Sequence, residues 1–155
     1  MSRDRDTTGR PRNARPRDEL GRPQARTDDA SVEPEAAALP PSDALHEAQR
    51  LLDEGRPFTA HEVLEAVWKA TADPQRALWR GLAQLAVGLT HEARGNRLGA
   101  RALLLRAADT LVPFTDEPHR IAVGELRQWA LAAADDPNGA GPMPRLVAQA
   151  ADDRA

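Results

Sequence analysis

The segment that decides the fold is Gln75–Asn96, with the sequence QRALWRGLAQLAVGLTHEARGN. At the helical repeat of about 100° per residue, its leucines fall within about 60° of one another: Leu78, Leu82, Leu85 and Leu89. Trp79 and Ala86 widen this apolar face, and a helix that is apolar over so much of its circumference belongs at the centre of a bundle. Gly81 and Gly88 lie beside the leucine stripe and would let a second helix approach closely.

Two helices are predicted before this segment. The first begins near Ser42, which we expect as its N-cap, and Gly55 ends it as a C-cap glycine would. The second begins at Thr59 and runs to about Thr71. Thr59 and Glu62 have the spacing of a capping box, in which each side chain bonds to the backbone N–H of the other, so we expect a structural role for both.

Two further helices are predicted after it. Gly95 closes the central helix, Asn96 begins a fourth that extends to about Val112, and a fifth covers roughly Arg120 to Ala134. The short connections favour antiparallel packing of neighbours, and no strand pattern competes with the helices. The sequence therefore predicts an all-α fold, a compact antiparallel bundle of about five helices.

Composition divides the chain into three parts. Residues 1–41 form an arm rich in arginine, proline and glycine that we expect to be disordered, because it has no apolar period. Residues 42–135 form the helical bundle domain, and residues 136–155 form a tail with a short, weakly amphipathic segment from Arg145 that we expect to be helical. The absence of cysteine excludes disulfides and thiolate metal sites. The lack of a long apolar run or signal peptide predicts a cytoplasmic protein without a membrane contact.

Several motifs resemble one known family. Gly55-Arg56-Pro57-Phe58-Thr59-Ala60-His61-Glu62 with Val63-Leu64-Glu65-Ala66-Val67-Trp68, and Trp79-Arg80-Gly81-Leu82-Ala83-Gln84, are similar to the signature of the domain of unknown function 309 (DUF309) family. The resemblance covers about residues 42–114, and the arm is similar to the arms of actinobacterial members. It implies a compact helical bundle, and it implies no particular activity.

The polar candidates begin with His61 and Glu65 on the second predicted helix. Their i, i+4 spacing places them on one edge of the apolar face, together with Trp68. Such a pair suits a metal ion, or an imidazole oriented by a carboxylate. The motif His-Glu-x-x-Glu lacks the second histidine of the zinc-protease motif.

The third predicted helix adds three more polar residues. Arg80, Gln84 and His91 fall within about 40° on the side away from the leucines. In an antiparallel hairpin, Glu65 would lie level with Gln84, and His61 between Gln84 and His91. We therefore predict one polar cluster, flanked by Trp68 and Trp79, that contains His61, Glu65, Arg80, Gln84 and His91.

This predicted cluster allows three interpretations. It can be a buried structural network in which Glu65 pairs with Arg80 and the histidines bond to Gln84 or to backbone carbonyls. It can hold a divalent metal on His61, Glu65 and His91, with an open position for water. It can also be a small-ligand pocket in which Arg80 binds an anionic group and a tryptophan forms a wall.

The polar cluster and the N-terminal arm together suggest three functions. The first is a binding or interaction module with a protein partner or a second copy of the chain. The second is a metal-dependent hydrolase that uses the His61, Glu65 and His91 set. The third is nucleic-acid contact through the arm, where eight arginines precede residue 27. We consider nucleic acid the weakest of the three, because the arm has no aromatic residue to stack on bases.

Overall fold

The computed structural model describes residues 37–148. The arm, with its predicted disorder and nucleic-acid contact, was placed at residues 1–41, and all of it except residues 37–41 lies outside that range. Within it the chain forms five α-helices and a single 3₁₀ turn at Pro118–Arg120, and no strand longer than an isolated bridge is present in these residues. The predicted all-α bundle is confirmed. The helices are α1 (Pro41–Asp53), α2 (Pro57–Ala70), α3 (Arg76–Ala93), α4 (Arg97–Thr110) and α5 (Val123–Asp135).

The predicted N-caps of the first two helices are wrong. Helix α1 begins at Pro41 and α2 at Pro57, and neither helix has a side-chain hydrogen bond at its cap. Proline suits the first helical position, because its fixed φ is helical and its missing N–H would have no partner there. Ser42 therefore lies inside α1. The Thr59–Glu62 capping box does not form, because Thr59 is already the third residue of α2.

The ends of α1 and α3 have the same cap geometry. Gly55 and Gly95 have φ angles of +77° and +78°, in the left-handed region that glycine adopts without strain. In each case the glycine N–H and the next N–H bond back to carbonyls of the last turn, as in a Schellman motif. At the start of α4, the side chain of Asn96 accepts a hydrogen bond of 2.9 Å from the N–H of Gly99. These three positions act as the sequence predicts.

Each helix packs mainly against its neighbours in the sequence. Helix α3 lies between α2 and α4, α1 packs on α2, and α5 packs on α4. The core is made almost entirely of leucine, alanine and valine, and the largest side chain in it is Trp79, which is 1% exposed. The predicted central position of α3 is confirmed by the burial of Leu78, Leu82 and Leu85.

Two glycines of α3 are in close contact with leucines on the α4 side. A Cβ atom added to Gly81 would lie 2.7 Å from Cδ2 of Leu111, and a Cβ atom added to Gly88 would lie 2.9 Å from Cδ2 of Leu104. The two glycines are seven residues apart, as are the two leucines, so each leucine fits over one glycine. Since the later glycine meets the earlier leucine, α3 and α4 run antiparallel, as predicted.

The tail beyond α5 is extended where a short helix was expected. From Arg145 to Ala148 no helix forms, and residues 149–155 lie outside the described range. Ile121 and Val147 form an antiparallel bridge instead, with hydrogen bonds of 2.8 Å from Ala122 N to Leu146 O and from Ala148 N to Arg120 O. The bridge also explains why α5 begins at Val123, three residues later than predicted.

The tail connects α1 to the start of α5. The N–H of Leu146 donates a 2.8 Å hydrogen bond to Oε1 of Gln49 on α1, and the Leu146 side chain is 1% exposed. Among residues 37–148, no helix is long and apolar enough to cross a membrane.

We expect the substitutions Gly81→Ala and Gly88→Ala to lower the stability of the protein. Alanine gains about 1 kcal/mol of helix propensity, but the new methyl group would overlap a buried leucine, and overpacking costs about 1–3 kcal/mol. The expected net loss is on the order of 1 kcal/mol for each variant, measured by urea unfolding.

Gly124→Ala is the matched control, because nothing lies within 4 Å of the position of its Cβ atom. This variant should be neutral or more stable by about 0.5 kcal/mol. If all three variants were stabilised alike, the close contact between α3 and α4 would not be a constraint.

Candidate functional site

The predicted polar residues lie on α2 and α3, which pack against each other, and we call the contact between these two helices the α2–α3 seam. His61 and Glu65 are one turn apart on α2, and the Nε2 atom of His61 lies 3.9 Å from Oε1 of Glu65. The side chain of His61 is 18% exposed and that of Glu65 is 33% exposed. The local pair of imidazole and carboxylate predicted from the i, i+4 spacing is therefore present, as a loose contact at the edge of the core.

Burial determines the charge of His61. Desolvation lowers the pKa of its imidazole below the ordinary value of 6.5, the carboxylate of Glu65 partly offsets this, and the ammonium group of Lys69 lowers the pKa further. The ring also stacks at a tilt against Phe58, at 5.6 Å between centroids, and the guanidinium of Arg94 lies 6.0 Å from the centroid of Phe58. Burial therefore favours the neutral form of the His61 imidazole.

Within residues 37–148, two buried polar atoms of α2 and α3 have no hydrogen-bond partner. They are Nδ1 of His61 on α2 and Oε1 of Gln84 on α3. Buried polar groups in native proteins are nearly always paired, and leaving one unpaired costs about 1–3 kcal/mol. The predicted network in which a histidine bonds to Gln84 is thus not formed by these two atoms.

Arg80 does not pair with Glu65. Its side chain is exposed and makes no ion pair or hydrogen bond within the part of the chain that the structure describes. The convergence of His61, Glu65, Arg80, Gln84 and His91 on one cavity stays a prediction.

His91 is oriented toward α4. Its Nδ1 atom lies 3.1 Å from Nδ2 of Asn96. The side-chain oxygen of Asn96 accepts from the N–H of Gly99, and this bond fixes which end of the amide faces His91. The amide NH₂ must therefore donate to Nδ1, so the proton of the neutral imidazole is on Nε2.

The predicted metal set of His61, Glu65 and His91 is not assembled. Among residues 37–148, no group of three or more histidine, aspartate and glutamate side chains is arranged to hold a metal ion. The physical reason is the orientation of His91, whose Nδ1 atom is engaged by Asn96 at the turn between α3 and α4. The divalent-metal cofactor and the hydrolase lose the ligand set on which they depended.

The two flanking tryptophans have different positions. Trp68 is half-buried and packs against the core at the end of α2. Trp79 is fully buried, and its ring contacts the ring of His119 at 5.6 Å between centroids. Trp79 is therefore part of the core and braces a loop before α5.

That loop forms one side of a cleft that the sequence analysis did not identify. The cleft has a volume of about 470 Å³ and lies between α1 and the tail. Its basic lining residues are His46, His119, Arg120 and Arg145. Among its apolar lining residues, Val147 is partly exposed, whereas Leu45 and Leu146 are buried.

The backbone of the loop is strained where it meets the cleft. Glu117, His119 and Arg120 have φ angles of 52°, 58° and 63°, in the left-handed region that non-glycine residues rarely adopt. Such residues cost about 1–3 kcal/mol each and persist only where the surroundings hold them. No feature of the sequence signals these angles. The basic residues of Pro118-His119-Arg120 were visible in the sequence, but their proximity to Arg145 depends on the bridge between Ile121 and Val147.

These features define a small all-α protein whose helices pack in sequence order around α3. Residues 45–103 match the family model described as "Domain of unknown function (DUF309)". The matched segment runs from α1 into α4 and includes the whole α2–α3 seam. No curated protein and no solved structure matches the chain.

We expect the buried imidazole of His61 to make stability depend on pH. Its pKa is lowered in the folded state, so the unfolded chain takes up the proton first as the pH falls. Stability should therefore decrease as the pH drops below about 6.5, and the loss should be complete once the pH is below the pKa of the folded state. In His61→Gln this part of the pH dependence should be absent.

The measurement is urea unfolding of both proteins at pH 7.5 and pH 5.0, with an NMR titration of the His61 ring. Because other histidines also titrate, the informative quantity is the difference between the two proteins at each pH. An equal loss of stability in both, or a His61 titration midpoint above 6.5, would contradict the assignment.

Proposed function

We propose that the chain is a cytoplasmic binding module whose α2–α3 seam accepts hydrogen-bond donors from a protein partner. The observation that supports this proposal is the pair of unpartnered buried atoms, Nδ1 of His61 and Oε1 of Gln84. A partner that supplied hydrogens to these atoms would remove their desolvation cost. Buried groups of this kind call for an explanation in a native structure, and a ligand is one such explanation.

The chemistry of the two atoms defines the kind of group that they would bind. The carboxylate of Glu65 lies next to Nε2 of His61, which favours the tautomer with its proton on Nε2. Nδ1 is then an acceptor, as is the side-chain oxygen of Gln84. The partly exposed carboxylate of Glu65 adds a negative charge at the edge. We therefore propose that the seam binds a cationic donor, a lysine ammonium or an arginine guanidinium of the partner.

The other functions considered have less support. The hydrolase would need a different metal-ligand set from His61, Glu65 and His91, and no observation favours one. Nucleic-acid contact depends on the arm, outside residues 37–148. A second copy of the chain could supply the cationic side chain, and sedimentation of the purified protein at increasing concentration would distinguish self-association from binding to another protein.

We expect Gln84→Met to raise the stability of the free protein. Methionine has nearly the shape of glutamine, and the substitution removes a buried acceptor without breaking a hydrogen bond of its oxygen. The expected gain is about 1–3 kcal/mol, measured by urea unfolding. A loss of stability would instead indicate a structural network.

Gln49→Met is the matched control. Oε1 of Gln49 accepts from the N–H of Leu146 at 2.8 Å, and its Nε2 donates to Asp53 at 2.9 Å. Because both ends of this amide are paired, the same substitution should lower stability, by about 1 kcal/mol.

Binding is tested with small donors of known chemistry. Methylguanidinium and butylammonium should shift the NMR resonances of the His61 ring in the wild type, and the shift should be lost in Gln84→Met. Tetramethylammonium carries the same charge but has no N–H group, so it should have no effect. An equal response to all three cations would show a nonspecific charge effect and overturn the proposal.

A further inference from the structure

We propose that the cleft between α1 and the tail binds a small organic anion that carries a phosphate or carboxylate group. This site shares no residue with the α2–α3 seam, so the proposal does not depend on the one above. It rests on the charge, the shape and the rigidity of the cleft.

The charge of the cleft is one-sided. Its lining includes the basic residues Arg120, Arg145, His46 and His119, and among residues 37–148 it includes no aspartate or glutamate. One of these residues, Arg145, has a carboxylate partner, that of Asp53, which lies 3.9 Å away with both side chains more than half exposed. An exposed ion pair at that distance is weak, so a bound oxyanion with better geometry would displace the Asp53 carboxylate from Arg145.

The arginines keep donors available for a ligand. One N–H group of Arg120 donates to the carbonyl of Ala148 at 3.1 Å. A guanidinium has five N–H donors in a planar fork, and this fork matches the oxygens of a phosphate or carboxylate. The bond to Ala148 thus orients Arg120 without using up its capacity.

The apolar surface and the volume suit more than a bare ion. Val147 is partly exposed and contributes apolar surface to the cleft, and the buried residues Leu45 and Leu146 lie beneath its lining. Ligand sites commonly have volumes of about 300–1,000 Å³ and combine mostly apolar walls with a few polar groups, and the cleft, at about 470 Å³, falls in that range. The oxyanion would contact the arginines, while an apolar part of the same molecule would pack against the partly exposed side chain of Val147.

The strained loop that carries His119 and Arg120 is held in place by contacts on two sides. On one side the ring of His119 packs on the buried ring of Trp79, and its Nε2 lies 3.3 Å from Oε1 of Gln75. On the other side the carbonyl of Arg120 accepts from the N–H of Ala148. Left-handed residues that are fixed in this way cluster at ligand clamps, because the strain keeps side chains in a binding position.

The test is an NMR titration of the isotope-labelled full chain with phenyl phosphate, benzoate and inorganic phosphate. We expect saturable shifts of the backbone amides of Arg120 and of residues 146–148. Saturation by phenyl phosphate or by benzoate supports the proposal, and the tighter of the two identifies the preferred oxyanion. Inorganic phosphate should bind at least tenfold more weakly than phenyl phosphate, and equal affinity would overturn the role of the apolar surface.

Three variants separate the cleft from general charge effects. Arg120→Gln and Arg145→Gln should each weaken binding of the tighter ligand about tenfold or more, while Arg145→Lys should weaken it less. Arg106→Gln removes the same charge from an exposed position on α4 and should leave the affinity unchanged. Thermal unfolding of each variant shows that it is folded.

Two results would overturn the proposal. One is a set of shifts confined to the arginine-rich residues 1–26. The other is an equal loss of affinity in Arg106→Gln and in the two cleft variants. Neither result would bear on the α2–α3 seam, because the cationic probes used there are not ligands of this cleft.

Discussion

The close contact between α3 and α4 is the constraint on which the rest of the structure depends. Leu111 and Leu104 lie over Gly81 and Gly88, and the equal spacing of seven residues on both helices fixes their register. With α4 fixed on this face, α3 can pack against α2 on another face, and α5 follows on α4. A chain with few aromatic residues thus obtains dense packing by bringing backbones together, because leucine and alanine side chains alone would leave gaps at a wider separation.

The apolar composition of this core shows why unpaired polar atoms on α2 and α3 are unusual. Its buried side chains are apolar almost without exception, and Thr90, the buried polar residue, satisfies its hydroxyl by donating to the carbonyl of Ala86. Against that background, unpaired atoms at His61 and Gln84 stand out, since a leucine or methionine could occupy either position in a bundle of this kind. A single substitution could remove the desolvation cost of these unpaired atoms. Residues that lower stability in this way are typical of binding sites.

The sequence predicts well what depends on local patterns. The leucine period of α3 and the left-handed glycines at 55 and 95 act over one or two turns of helix, and so does the pair of His61 and Glu65. The predicted starts of α1 and α2 were wrong because a proline and a capping residue occur within the same few positions. The sequence pattern does not determine which of the two residues begins the helix. The path of the tail up to Ala148 and the direction of His91 depend on more than local patterns. The bridge of Ile121 to Val147 is a long-range pairing, and the direction of His91 depends on the cap at Asn96.

The two proposed sites differ in how they relate to the family. The α2–α3 seam lies wholly inside residues 45–103, whereas the strained turn at 118–120 and the tail that complete the cleft lie outside them. The cleft is nevertheless attached to the helices of the matched segment. Gln49 of α1 accepts a hydrogen bond from Leu146, and the ring of Trp79 on α3 contacts the ring of His119. The helical core therefore acts as the rigid support of both sites. The seam uses polar atoms of the core itself, and the cleft uses the core to keep a strained loop in place.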